Sequence, residues 1–307
     1  LNMMPDKALA ATERQFFRLI GESNPIAQFY VHPFTLPELE RGRDAQRYID
    51  DFYEPFEKIQ QQGLDALIVT GANVLGPDLQ SQKFWDPLIK VMDWSWEIVT
   101  STLCSCLATH AVMQFRYQQK RVPQAEKIWG VFPHQVMDKS HPLVSDVNTR
   151  FDVPHSRWNA VSRAQFDAAG LKVLVESEEA GVHLATSADG LRFVMFQGHP
   201  EYDTISLLKE YKREVLRFAS GELTNYPPFP ANYLAERERA VLEEYRQRSL
   251  SEFPESLVAA RLDNTWHDTA EAVVGNWIGL VYQVTHRDRD KPFMNGIDPN
   301  DPLGLRL

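Results

Sequence analysis

At 307 residues, with 43% hydrophobic and 24% charged residues, the chain is long enough to bury a large core and reads as an ordinary soluble globular protein. Its 32 basic residues are outnumbered by 42 acidic ones, giving a net charge of −10 with no basic block or stripe; this argues against nucleic acid or an anionic membrane as the main partner. The two cysteines, Cys104 and Cys106, cannot build a disulfide framework and have poor bridge geometry as strand neighbours at i, i+2, so reduced thiols in a cytoplasmic protein are expected.

The chain opens at Leu1-Asn2-Met3-Met4-Pro5, which reads as the end of a strand entering a loop, with further residues expected upstream. Neither a secretory-signal pattern nor an apolar stretch of membrane-spanning length is found. Leu9, Phe16, Phe17, Leu19 and Ile20 recur among charges over 8–20, predicting an amphipathic helix. Residues 27–31 read as a short strand, 48–62 as a helix, and 64–70 as a buried strand ending at Gly71. A loop over 71–83 leads to a helix around 84–92. An extended β-branched run over 98–103 then meets a helix-capable run over 107–115, with Ser101, Thr102 and Ser105 near the join.

Between 125 and 185 the pattern changes to shorter strands and turns, with strands at 128–132, 171–177 and 181–186. A core-type strand over 192–197 ends in Gly198-His199-Pro200-Glu201-Tyr202-Asp203. A helix follows over 204–220, then a proline-rich loop over 226–233, a charged helix over 234–248 and an amphipathic helix over 266–284 that could offer a homodimer contact. The tail after Asp288 has the composition of a poorly structured segment. This alternation predicts an α/β fold with a doubly wound, mostly parallel sheet flanked by helices. One domain over 1–307 is expected, with a core of about 1–221 and a C-terminal helical extension of about 222–307.

A cysteine on a strand-to-helix turn is exposed at the top of a sheet, beside the backbone N–H groups of the helix start. Cys106 immediately precedes the helical run, whereas Cys104 is still in the strand. Alternation puts both on one face, so spacing alone does not separate a nucleophile from two small core fillers. In His199-Pro200-Glu201, extended backbone would set the two side chains on one side, roughly 7 Å apart, with proline stiffening the pair. An imidazole beside a carboxylate suits a base serving a thiol. Arg213, on the following helix, could clamp a carboxylate bidentately. Lys127, Ser156 and His155 say little alone, and His134 and His141 read as loop residues. Metal and nucleotide fingerprints are absent, and no metal is expected.

Taken together, Thr70-Gly71-Ala72, Ser101-Thr102-Leu103 with Cys106 three on, Pro154-His155-Ser156-Arg157 and Gly198-His199-Pro200-Glu201-Tyr202-Asp203 resemble the homoserine O-succinyltransferase/O-acetyltransferase family. Leu1-Asn2-Met3-Met4-Pro5 resembles that family's first strand end, and Asn276-Trp277 through Tyr282-Gln283 its last helix. The resemblance implies a fold like the class I glutamine amidotransferases and a ping-pong acyl transfer in methionine biosynthesis. Acyl-CoA, succinyl-CoA or acetyl-CoA, would be a co-substrate, with no bound cofactor. Cys106 would carry the acyl group, His199 would be general base and acid, and Glu201 would orient it. Arg213 would grip the amino acid's carboxylate, with Lys127 and Ser156 lining the pocket. The backbone N–H groups of Leu107 and of the Gly71-Ala72 loop would form the oxyanion hole.

The sequence departs from the family where acyl-donor choice is set: Leu75 stands at the matching position, or Gly76 if the loop slips by one. Succinyl or acetyl donor therefore stays open; so does homoserine or serine acceptor, because Met4-Pro5-Asp6-Lys7 leads into a longer helix start than the family's, at the place of a family lysine. Two other readings stay open: an amidotransferase-like hydrolase, against which Ser105 and Ala108 stand in place of glycines at the elbow, and a non-catalytic binding protein of the same fold.

Overall fold

The computed structural model describes residues 1–248, 252–285, 289 and 291–304. Its sheet is built from β1 (Ala66–Val69), β2 (Ser101–Ser105), β3 (Val122–Val136), β4 (Arg150–Ala160), β5 (Lys172–Ser177), β6 (Gly181–Thr186) and β7 (Phe193–Phe196), in the spatial order β1-β2-β7-β6-β5-β3-β4. Strands β1, β2 and β7 are parallel, with Val69 opposite Cys104 and Ser105 opposite Phe196. Every residue of β2 and β7 is buried, because helices cover both faces, and both segments accordingly lack alternation.

The remaining neighbours, from β7 through β6, β5 and β3 to β4, pair antiparallel. The α/β class holds, while parallel pairing is confined to three strands. The reason lies in the connections. A parallel pair needs a crossover of a dozen or more residues, which α4 (Trp85–Ile98) supplies between β1 and β2, whereas the short turns joining β5, β6 and β7 permit only reversal.

Helix α4 and α5 (Leu107–Tyr117) cover one face, packing Leu88, Val91, Met92, Ala108, Ala111 and Val112 onto Val69, Cys104, Phe193 and Met195. The other face is covered by α1 (Asp6–Ser23) and α10 (His267–Val284). Phe16 and Leu19 of α1, with Val273, Val274, Trp277, Leu280 and Val281 of α10, lie over Leu103, Val194 and Phe196. These spacings of three and four put the apolar residues of each helix on one stripe. The Trp277 indole N–H also donates to Ser101 Oγ at 2.8 Å, tying α10 to β2.

The helices that follow β7 in sequence are fastened to the sheet at β3, apart from α10. Helices α7 (Ser206–Ala219), α8 (Glu236–Arg248) and α9 (Glu255–Ala259) share a core with Trp129 and Val131 of β3, filled by Leu208, Tyr211, Leu242, Phe253 and Trp266. Ala231 forms a parallel bridge with Gly130, and Val131 N–H donates to Ala231 O at 2.8 Å. Gly130 sits at φ 147°, and a Cβ there would run into the Ala231 backbone. Among the described residues no helix is long and apolar enough to cross a membrane.

Several expected elements differ. Residues 27–31 are not a strand: Tyr30 is 87% exposed, without a neighbouring strand to pair it. The helix expected over 48–62 is two, α2 (Arg43–Phe52) and α3 (Phe56–Gln62), because Pro55 drives the residue before it out of helical backbone. Residue Ile98 ends α4 rather than starting β2. Strand β4 and the short α6 (Arg163–Ala168) were not anticipated, and His134 lies on β3, not in a loop. In the tail, Phe293 is buried and its N–H donates to Glu97 O at 2.8 Å, while Arg289 pairs with Asp65 at 2.8 Å. Residues 286–288 and 305–307 lie outside the described residues.

The buried histidines make the fold acid-sensitive. Desolvation pulls His110 down to about 3 and His134 and His141 to about 4, and holds His155 and His183 well below the ordinary imidazole value. Unfolding restores a value near 6.5, so the unfolded chain binds more protons. The stability these neutral rings confer is full above that value and is lost progressively as pH falls from there toward their folded values. The urea midpoint should therefore be lower at pH 5.5 than at pH 7.5; an equal or higher midpoint at pH 5.5 would contradict this.

Candidate active site

Strand β2 ends at Ser105, and Cys106 turns the chain into α5 at φ 50°, ψ −104°. A non-glycine residue there carries strain of about 1–3 kcal/mol, a cost characteristic of functional turns. The turn is pinned by the Cys106 N–H, which donates to Phe196 O of β7 at 2.8 Å, and by Thr109 Oγ1, which donates to Cys104 O and Phe196 O, both at 2.9 Å. Cys104 is fully buried in the α5-side core, and desolvation pushes its thiol pKa up. Cys106 is partly exposed. The structure thus separates the two cysteines as strand spacing could not.

Three residues beyond β7, His199 reaches the same turn. Its backbone N–H donates to Pro154 O of β4 at 2.8 Å. Gly198 allows this approach, since a Cβ there would lie 2.6 Å from Val153 Cγ1, 2.8 Å from His183 Nδ1 and 2.9 Å from His155 Cε1. Residues 199–202 form a turn closed by Tyr202 N–H to His199 O at 3.2 Å, not the extended pair expected. The turn still brings His199 Nδ1 to Glu201 Oε1 at 2.8 Å, with both residues buried. Burial alone would deprotonate His199, but the Glu201 charge and the Cys106 sulfur, which interacts with the ring by charge and hydrogen bonding, outweigh it and raise the pKa well above the ordinary value. Sulfur, imidazole and carboxylate are in series.

Gly71 lies against this elbow: a Cβ built on it would sit 3.6 Å from Cys106 Cβ and 3.9 Å from Leu107 N. As the first residue of α5, Leu107 has an N–H without an intrahelical acceptor, free for an oxyanion. Ala72 follows Gly71 in the same loop. Beyond it, Leu75 is 68% exposed; its carbonyl accepts from Asn159 Nδ2 at 3.1 Å. Arg121 Nη2 donates to Val74 O at 2.8 Å and to Gly76 O, fastening the loop.

Lys127 of β3 and Ser156 of β4 converge on Glu210 of α7. Glu210 Oε2 accepts from Ser156 Oγ at 2.5 Å and Lys127 Nζ at 3.2 Å, and Oε1 accepts from the Tyr202 hydroxyl at 2.7 Å. Burial alone would raise the Glu210 pKa; the Lys127 charge and the two hydroxyls outweigh it and hold the carboxyl below its usual value. Burial pulls Lys127 below its ordinary value, with Glu210 opposing. The Tyr202 ring stacks on His199, centroids 4.3 Å apart at 19°. Arg213, one turn beyond Glu210, is 58% exposed and bonds Glu214 Oε1 at 3.2 Å; its charge reaches Lys127.

Four contributors carried no role in the sequence reading. Tyr202 and Arg157 stand inside quoted motifs, where their residue types were visible but their direction was not. Glu210 shares a helix face with Arg213 at i, i+3, a signal available in principle. Arg121 has none. Arg121 and Arg157 are both buried, and the Cys106 sulfur opposes the lowering of their pKa values by burial; Arg157 is pushed to about 10. Arg121 Nε and Arg157 Nε and Nη1 have no hydrogen-bond partner among the described residues. A separate cavity of about 450 Å³, lined by Arg18, Glu22, Glu201, Asp203 and His267 among others, borders the triad from the α1–α10 side and does not include Cys106.

A family model described as homoserine O-succinyltransferase matches residues 1–287. Proteins named homoserine O-succinyltransferase are 67% identical in Allochromatium vinosum (99% of this chain, 88% of the relative), 68% identical in Thiobacillus denitrificans (99% and 88%) and 64% identical in Nitrosococcus oceani (100% and 88%). Among solved structures, the glutaminase domain of Trypanosoma brucei CTPS with bound acivicin superposes at a TM-score of 0.46 and 13% identity, covering 75% of this chain and 97% of that one.

Glu201→Gln removes the charge that holds the proton on His199. The pH at which the His199 ring titrates should fall, read from ring-carbon NMR shifts; an unmoved midpoint would show that Glu201 does not set it.

Proposed function

The chain belongs to the homoserine O-succinyltransferase family and is a homoserine O-acyltransferase, and from that premise we propose that it transfers the succinyl group of succinyl-CoA through a thioester on Cys106. The observation that carries this reading is the series Cys106–His199–Glu201, with the imidazole bonded to a buried carboxylate at 2.8 Å and interacting with the sulfur of a strained turn.

In the first half-reaction the Cys106 sulfur, its proton already held on the His199 imidazolium, attacks the thioester carbonyl. Glu201, on Nδ1, keeps the Nε2 side of the ring turned toward the sulfur and stabilises the imidazolium. The tetrahedral oxyanion is received by the Leu107 N–H and the N–H of Ala72 in the adjoining loop. Collapse breaks the bond to the CoA sulfur, which takes the proton from His199 and leaves as free CoA. In the second half-reaction His199 takes the proton of the homoserine hydroxyl. The oxygen attacks the acyl-enzyme carbonyl, and Cys106 leaves with the proton returned, releasing O-succinylhomoserine. Lys127 and Ser156 border the acceptor, and Arg213, free to swing at the rim, takes its carboxylate.

Two observations favour a succinyl over an acetyl donor. Close relatives carry that name. Two buried guanidinium groups with unanswered N–H donors, Arg121 and Arg157, lie within charge range of the sulfur, an environment suited to an acyl chain ending in a carboxylate. Leu75, exposed at the top of the loop these residues border, offers no charge of its own.

Cys106→Ser should abolish CoA release from succinyl-CoA, while Cys104→Ser should retain it; release at the wild-type rate from Cys106→Ser would remove the nucleophile. In a matrix of succinyl- and acetyl-CoA against homoserine and serine, succinyl-CoA with homoserine should exceed acetyl-CoA with homoserine in kcat/KM by about tenfold or more. Equal values would exclude a carboxylate-reading donor site.

A further inference from the structure

Where the end of α1 meets the start of α10, three side chains of metal-ligating type converge. His267 Nε2 lies 3.4 Å from Glu22 Oε2 and 2.6 Å from Glu271 Oε1, and one ligand atom from each residue lies within 4.8 Å of the others. His267 and Glu271 are four apart on α10 and so share a face, while Glu22 comes from the last turn of α1. The two helices are held in register by a close backbone approach at Gly275, where a Cβ would lie 2.9 Å from Ser23 O. Helix dipoles do not account for the arrangement. They disfavour a carboxylate in the last turn of one helix and a charged imidazole in the first turn of the next.

The cavity behind the triad gives an independent observation. Glu22 and His267 line it together with Glu201, whose side chain is 4% exposed. Glu201 Oε1 is bonded to His199, and its Oε2 has no hydrogen-bond partner among the described residues. A buried carboxylate oxygen left in this state calls for a donor, and the cavity is where one can lie. Asp203 and Asp268 add two more carboxylates to the wall, whereas the Arg18 guanidinium is taken by Asp203 at 2.5 Å. The balance of charge therefore favours a cation, and a hydrated cation brings the missing donor with it.

We propose that Glu22, His267 and Glu271 hold a divalent transition-metal ion of the zinc class, bridging α1 to α10 at the rim of this cavity. One imidazole and two carboxylates form a donor set for such an ion. Bonds of about 2.0–2.1 Å place tetrahedral ligand atoms roughly 3.3 Å apart. The His267–Glu22 spacing already has this value, and the His267–Glu271 pair reaches it by a small movement of partly exposed side chains. Three protein ligands leave the fourth position to water, and about 450 Å³ of cavity has room for further waters reaching Glu201 Oε2. The ion touches no reacting atom. It clamps together the two helices that cover β2 and β7. The ligands lie at opposite ends of the chain, which is why no metal fingerprint stands in the sequence.

Titration calorimetry with Zn²⁺ on the full chain tests this, in a Cys106→Ser background that removes the partly exposed thiol as a competing ligand. One ion per chain should bind, with Mg²⁺ far weaker, and the melting temperature should rise by a few degrees at about a hundredfold excess over the dissociation constant. Co²⁺ should give the visible ligand-field bands of a tetrahedral nitrogen and oxygen set. His267→Gln, Glu271→Gln and Glu22→Gln should each weaken Zn²⁺ binding by roughly tenfold or more. Their metal-free melting temperatures should stay within about two degrees of the parent, since the pairs they break are partly exposed. Absence of saturable binding, or unchanged affinity in His267→Gln, would overturn the site. Unchanged affinity in Glu22→Gln alone would place the ion on α10 and overturn the bridge.

Discussion

The site depends on one backbone constraint: Cys106 must hold a left-handed conformation where β2 gives way to α5. That conformation is unfavourable for a residue with a Cβ and survives only because neighbours over-determine it. The parallel register of β2 with β7 supplies the determination, since Ser105 lies opposite Phe196 and the carbonyl of Phe196 accepts from both the Cys106 N–H and the Thr109 hydroxyl. The same register brings His199, three residues past the end of β7, to the level of the sulfur. Sulfur and imidazole therefore meet because two adjacent strands end together, and the open helix terminus arrives with them.

A second tier holds the first. Strand β4 approaches the elbow closely enough that residue 198 can have no side chain, and its carbonyl at Pro154 anchors the His199 backbone. Behind it His134 and His155 stack at 5.1 Å and 7°, joined through their Nε2 atoms at 3.2 Å. These rings are uncharged for the same reason that His199 is not: each is dry, but only His199 has a carboxylate against it. Position relative to one acidic side chain thus separates a charged imidazole from uncharged ones of the same residue type.

The elbow and the His-Pro-Glu turn were legible because each is local: a β-branched run passing into a helical one, and a strand ending in polar residues. Cys106 over Cys104 needed the resemblance first and the three-dimensional turn afterwards, since alternation assigns both to one face. The antiparallel half of the sheet was not legible. Pro123, Pro133 and Pro154 break the pattern of β3 and β4, yet Pro123 lies at an irregularity in their pairing, Pro154 on the edge strand β4, and Pro133 is held opposite Asp152. The exposed 27–31 segment shows the reverse error, where β-prone composition lacked a partner. Glu210 escaped notice because a single glutamate on a charged amphipathic helix resembles its solvated neighbours; only the arrival of Lys127, Ser156 and Tyr202 from other segments marks it out.

Helix α10 comes near the end of the chain yet seals the face of the sheet behind the elbow, with Trp277 bonded to Ser101 on the very strand that delivers the cysteine. Its Gly275 also abuts the backbone of Ser23 at the end of α1. During synthesis, β2 and α5 leave the ribosome while this covering is still about 150 residues away in sequence. The strand that leads to Cys106 therefore lacks this part of its covering until α10 has been made, however early its own residues emerge.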